Sequence, residues 1–295
     1  VLTRRVDAEG LRLHVRERPG TGPAVLLLHG WLDHGHGFDP LIEALPPRWH
    51  LVLLDFRGMG ESAHLPAGAH YHFSDYLHDV EAALSGVGLA QVHLVGHSLG
   101  GLVAAMYAAA RPERVNRLVL LESLGPSLGR PGSTVGRLRS FLEDLARAPH
   151  QKPYPSVEAA AERLRQSNPT LSPEAALLLA RHGTAPLPGG GVGFRFDPRH
   201  RRHFGQGLNA EDAEGGDAQW LAVLRAVQAP ALVIRATHGL VPDPAQDAVA
   251  RARLAALRVE APRVIPGGHH VHLDAPAEVA RALEAFLIPS GPPEP

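Results

Sequence analysis

The chain has 295 residues, of which 44% are hydrophobic and 20% charged, and it contains no cysteine. That balance belongs to a globular chain able to bury a large core, and a net charge of -1 gives no footprint for nucleic acid or an anionic membrane surface. The absent cysteines exclude disulfides, thiolate metal sites and a cysteine nucleophile.

Residues 4–7 and the alternating run 11–17 (LRLHVRE) read as an early antiparallel pair. Residues 24–28 are continuously apolar, as expected of a strand covered on both faces, and lead into His29-Gly30-Trp31. A helix is expected at 38–45, a buried strand at 50–54, and a helix at 73–87 capped by Ser74. Residues 92–95 form another buried strand, followed by Gly96-His97-Ser98-Leu99-Gly100 and an alanine-rich helix ending before Pro112. A further strand, 117–121, ends at Glu122. Strands alternating with helices at this spacing predict an α/β fold, with a mostly parallel central sheet and helices on both faces.

From 125 to 229 no buried strand is evident. Helices are expected at 156–166, 172–183 (Ser172 cap, Pro173 at the first helical position) and 220–227, with a glycine-rich loop at 188–193. The sheet rhythm returns at 231–235, a helix at 244–257, a strand at 263–265 and a helix at 276–287; the tail 289–295 reads as disordered. The expected division is a core of 1–124 and 229–295 with a helical cap, 125–228, inserted into it. No apolar run reaches the roughly 18–20 residues of a membrane helix. No apolar region follows Arg4 and Arg5 to make a signal peptide, so a cytoplasmic location is expected.

The stretch 91–101, QVHLVGHSLGG, carries the chemistry. Strand, sharp turn and helix with a serine at the turn is the nucleophile-elbow arrangement, in which the positions two before and two after the serine must be small. Both are glycine here. A serine hydroxyl is a weak nucleophile at neutral pH until a base takes its proton. Backbone N–H groups of Leu99, at the helix start, and of Trp31, after His29-Gly30, are the expected oxyanion donors.

With these residues the chain resembles the α/β-hydrolase fold superfamily. Four blocks carry the resemblance in order: HGW at 29–31, DFRGMGES at 55–62, GHSLGG at 96–101 and GGHHVHLDAP at 267–276. The last block, together with GGGVGFRFDPR at 189–199, resembles the serine hydrolase-like branch. The resemblance implies a catalytic histidine on the loop after the last strand. Gly268-His269, with Asp274 and Pro276 following, fits the register of relatives and points to His269, with His270 as the alternative. The third histidine, His272, reads as packing; the HHVH run also raises a metal site, but no carboxylate or cysteine pattern accompanies it, so no metal and no cofactor are expected. A serine at position 98 argues against the epoxide hydrolases and haloalkane dehalogenases of this fold, which use an aspartate there.

The acid departs from the common pattern. Most relatives place it after the strand that follows the cap, where this chain has Gly239. Some branches place it one strand earlier, which is Glu122; a carboxylate directly after a buried run needs a partner to offset its burial. Glu122 is therefore the expected acid and Asp243 the alternative. Asp55 and Arg57 read as loop-bracing. Phe141, Leu142, Leu145, Tyr154, Leu164, Leu177, Leu178, Phe194, Phe196 and Trp220 are candidates for the underside of the cap. Arg195, Arg199, Arg201 and Arg202, with His200 and His203, read as a solvated basic surface or a lure for an acidic substrate.

The expected activity is hydrolysis of a small-molecule carboxylic ester, lactone or thioester through an acyl-enzyme. A cofactor-free haloperoxidase or perhydrolase with the same triad is the first alternative. A non-catalytic small-molecule binding protein on this scaffold is the second.

Overall fold

The computed structural model describes residues 1–126, 139, 142–146, 150–203 and 213–288. The tail 289–295, Phe141 and the side chains of Arg202 and His203 lie outside the described residues.

The strands are β1 (Leu2–Ala8), β2 (Leu11–Arg18), β3 (Ala24–Leu28), β4 (His50–Asp55), β5 (Val92–His97), β6 (Val115–Leu121), β7 (Thr184–Pro186), β8 (Val192–Phe194), β9 (Ala231–His238) and β10 (Arg263–Gly268). Eight of them form one sheet in the order β1-β2-β4-β3-β5-β6-β9-β10. The β1–β2 and β2–β4 pairs are antiparallel, and every other neighbouring pair is parallel. The inner parallel strands β3 and β4 carry continuous apolar runs because both faces are covered. Leu26 and Leu28 of β3 pack into one buried cluster while Val25 and Leu27 pack into the other. The same alternation divides Val52 and Leu54 from Leu51 and Leu53 in β4. Truncating one of these fully buried leucines to alanine removes about 2–5 kcal/mol.

The helices α1 (Asp39–Ala44) and Pro276–Leu287 cover one face. The other carries α2 (Phe73–Val87), α3 (Leu99–Ala110) and the helix Ala213–Ala226. The cap of α2 is not Ser74: the His72 N–H donates to Asp75 Oδ2 at 2.9 Å, so the acid of the first turn closes the helix start.

Between β6 and β9 lies the insertion. The helices Val157–Ser167 and Pro173–Gly183 begin at Ser156 and Ser172, whose side chains each accept the N–H three residues on. They pack through small residues, Ala160, Ala161, Ala176 and Ala180, into a cluster of their own that reaches the core at Leu273. The insertion also contains a short antiparallel pair, β7 with β8, where the sequence suggested only a glycine-rich loop. Three-residue strands are too short to show a period of two. Trp220 is no underside residue: it is fully buried in the core cluster, and its indole N–H donates to Leu124 O at 3.1 Å. Leu142 and Leu145 are exposed. No described helix is long and apolar enough to cross a membrane.

Candidate active site

Ser98 sits between β5 and α3 with φ 51 and ψ -116, a conformation a side-chain-bearing residue rarely adopts. Such strain costs on the order of 1–3 kcal/mol and persists only where surroundings impose it. Here the Ser98 N–H donates to Leu121 O at 3.0 Å, and Ser98 O accepts from Gly101 N at 3.0 Å. The crowding explains the glycines. A Cβ on Gly96 would overlap the carbonyl of Gly100, and one on Gly100 would overlap that of Leu28.

His269 reaches the serine from the loop after β10. Its Nε2 lies 3.0 Å from Ser98 Oγ, and its Nδ1 lies 3.3 Å from Glu122 Oε2. An ionised carboxylate only accepts, so Nδ1 carries the hydrogen, Nε2 is the acceptor, and Ser98 Oγ–H donates to it. Glu122 follows β6 at φ 48 and is 2% exposed. Its burial is offset by backbone donors: Ala236 N to Oε1 at 2.6 Å, Leu240 N to Oε2 at 2.5 Å and Val241 N at 3.4 Å. These fix the carboxylate in place of water.

Gly239 was the gap in the sequence pattern, and the structure gives its reason. A Cβ there would overlap both carboxylate oxygens of Glu122. The carboxyl of Glu122 fills the volume beside position 239, so only glycine fits. Asp243 is not brought to the histidine; its Oδ1 instead accepts the Ala245 N–H at 2.9 Å.

The three histidines of the last block diverge. His269 faces Ser98. His272 is buried, with its ring against Phe38 and His97, and His270 lines the cavity. Burial, then neighbouring imidazoles, push His272 well below the ordinary histidine pKa; burial does the same, less strongly, to His270. One positioning residue was not singled out from the sequence. His97 Nε2–H donates to the backbone carbonyl of His269 at 2.9 Å. Burial, reinforced by His272, His269 and His270, keeps His97 neutral. Its place beside Ser98 is the only sequence signal for it. A second is Thr170, from the turn between the two insertion helices. A Cβ on Gly268 would overlap Thr170 Oγ1, so the insertion rests directly on the residue before His269.

Asp55 and Arg57 brace loops. Asp55 accepts from Gly35 N at 2.6 Å and Glu61 N at 2.9 Å and pairs with His14 Nδ1 at 2.7 Å. Its burial would raise its pKa, but the His14 hydrogen bond and nearby imidazoles outweigh this and hold it far below the usual range. Arg57 Nε donates to Asp79 Oδ1 at 2.8 Å. Gly30 backs onto His97 and Ser98, which brings the following residue, Trp31, to the wall beside the serine.

Ser98 opens into a cavity of about 1240 Å³. Trp31, Leu102, Met106, Leu164, Phe194 and Phe196 contribute apolar wall. Arg201 lies at its edge, with the guanidinium carbon 5.0 Å from the Phe196 ring centre. Arg199 is not part of a solvated surface. It pairs with Asp197 and donates to the carbonyls of Leu65, Pro66 and Ala69, tying the insertion to the loop before α2. His200 is buried against Tyr71 and held at Arg57 O, 3.1 Å away.

A sequence profile of the alpha/beta hydrolase fold family matches residues 23–276. The chain belongs to this family. Within it, the relatives place the chain in the serine hydrolase-like branch. It is 32% identical to a serine hydrolase-like protein of Danio rerio, over 93% of this chain and 84% of that one. It is 31% identical to serine hydrolase-like protein 2 of Homo sapiens, over 90% and 87%. Among solved structures, a thioesterase domain from the curacin biosynthetic pathway superposes with a TM-score of 0.82 at 28% identity, covering 96% of this chain and 98% of that domain.

Proposed function

We propose that the protein is a serine hydrolase that cleaves a carboxylic ester, lactone or thioester through an acyl-enzyme. One observation carries the reading: Ser98 Oγ, His269 and the buried Glu122 form a continuous hydrogen-bonded chain opening into the cavity. The thioesterase likeness supports including thioesters among the substrates.

In the first half-reaction Ser98 Oγ attacks the substrate carbonyl while His269 Nε2 takes the hydroxyl proton. The N–H groups of Trp31 and Leu99 receive the oxyanion; one such donor is worth about 3 kcal/mol in acyl transfer. His269 then passes the proton to the departing alkoxide or thiolate, leaving the acyl group on Ser98. Water, deprotonated by the same nitrogen, releases the carboxylic acid and restores the serine. Glu122 keeps the proton on Nδ1 and stabilises the imidazolium between steps. The helices Val157–Ser167 and Pro173–Gly183 act as the cap that limits the size of the acyl or leaving group.

The test is a panel of p-nitrophenyl esters of increasing acyl length and one acyl thioester, run on wild type and Ser98→Ala, with fluorophosphonate labelling of both. Turnover and labelling that vanish together in Ser98→Ala are expected. Retained turnover in that variant would sink the reading.

A further inference from the structure

A second group of ligand-type side chains lies where the insertion meets the core, outside the serine site. His36 precedes α1, Asp39 opens it, and His182 ends the helix Pro173–Gly183. One ligand atom from each lies within 4.8 Å of the others. The His36 and His182 rings are stacked, with centroids 3.7 Å apart and planes 9° from parallel.

We propose that His36 and His182, backed by Asp39, bind a borderline divalent transition metal such as Zn²⁺, and that the ion clips the insertion to the core. The carboxylate is already arranged for this. Asp39 Oδ1 is held by Arg16 Nη1 at 2.6 Å, and Oδ2 faces His36 Nδ1 at 2.7 Å. The acceptor-only carboxylate fixes the hydrogen on Nδ1 and leaves the Nε2 lone pair for an ion. A carboxylate behind a histidine in this way fixes the tautomer and raises the basicity of the ligand nitrogen. Two imidazoles suit zinc, copper or nickel; magnesium and calcium prefer oxygen cages.

Parallel rings send their lone pairs side by side rather than to one point. His182 is exposed, so its ring is able to turn and bring the two lone pairs together, with water completing the coordination. Arg16 limits the charge available to the ion, which makes this a site of moderate strength. Its position gives it reach. Leu179, one turn earlier on the same helix, lines the cavity, and its carbonyl accepts from His34 Nε2 at 3.0 Å. An ion at His182 therefore holds a wall of the cavity against the core.

The experiment is calorimetric titration of the untagged protein with ZnCl₂ in a non-chelating buffer at pH 7.5. His182→Ala, Asp39→Asn and His269→Ala are titrated in parallel, with MgCl₂ as the hard-cation control. Wild type and His269→Ala are expected to show one saturable zinc site and no magnesium site, with a rise in Tm on adding zinc. His182→Ala should lose the site, and Asp39→Asn should weaken it about 10- to 100-fold. Zinc binding that survives intact in His182→Ala, is lost in His269→Ala, or is absent from wild type up to millimolar metal overturns the proposal. His182 is exposed, so its replacement tests the site without endangering the fold.

Discussion

Glu122 and position 239 share one volume. The carboxyl of Glu122 lies where a side chain at 239 would begin, and Leu240 N donates to that carboxyl from the adjacent backbone. An acid at 239 and the Glu122 carboxyl would therefore compete for one place near His269, and Glu122, the proposed triad acid, occupies it from the end of β6. Glu122→Gln is expected to lower kcat by about 10⁴, the cost seen when a triad acid is neutralised. Gly239→Asp alone should fail through steric overlap. The double variant Glu122→Ala with Gly239→Asp should exceed the kcat of Glu122→Ala. Steady-state kinetics on one activated ester decide this, and a double variant no better than Glu122→Ala contradicts a shared volume.

Asp243 supplies the contrast. It caps a local turn through Ala245 N, so Asp243→Ala should cost about 1 kcal/mol of stability at most and leave kcat at the wild-type value. Urea denaturation and ester kinetics on the same preparation separate the two quantities.

Thr170 and Gly268 couple the proposed cap to the loop that carries His269. Gly268→Ala forces an overlap with the Thr170 side chain, and overpacking of this kind costs about 1–3 kcal/mol. Activity should fall through displacement of His269. Thr170→Gly, which removes the colliding atoms, should restore much of it in the double variant. If the two substitutions prove additive in kcat/KM, the contact has no part in placing the histidine.

Acid should destabilise the fold before it protonates the surface carboxylates. Burial lowers the His200 pKa to about 4, although its hydrogen bond to Arg57 O opposes the shift. Between that value and the unfolded value near 6.5, the unfolded chain holds a proton that the folded chain does not. Stability is therefore complete above about pH 6.5 and falls with pH down to about 4, by up to about 3 kcal/mol from this residue. His97, His270 and His272, also lowered, add to the same slope. Urea midpoints at pH 7.5, 6.0 and 5.0 should decline steadily, and His200→Asn should flatten the decline.

The core and the serine were legible because their signals are local. Continuous apolar runs marked β3 to β6 and β9, and the glycines around Ser98 reflect overlaps within a few residues and with the adjoining strand. Glu122 could be read because a charge after a buried strand demands a partner. What escaped was set by distant surfaces. Nothing near Gly239 in sequence says that its space belongs to residue 122. An amphipathic helix shows that it has an inner face but not what covers it, so the sequence around Trp220 does not reveal that it packs into the core rather than under the insertion. Arg199 resembled a solvated charge until the carbonyls of 65–69 were brought to it. The β7–β8 pair was too short to announce itself.

The pairing of β6 with β9 has a consequence for how the molecule comes to life. Leu118 pairs with Ala231 across the whole insertion, and Glu122 takes its hydrogen bonds from Ala236, Leu240 and Val241. The serine lies 171 residues ahead of His269. During synthesis the elbow can form early, but Glu122 is held in place and His269 delivered only by the last third of the chain. Such non-local closure is slow compared with helix formation. A nascent chain that stalls within the insertion thus displays a serine with no means of activating it. On the proposed triad, the protein stays chemically silent until its final strands dock.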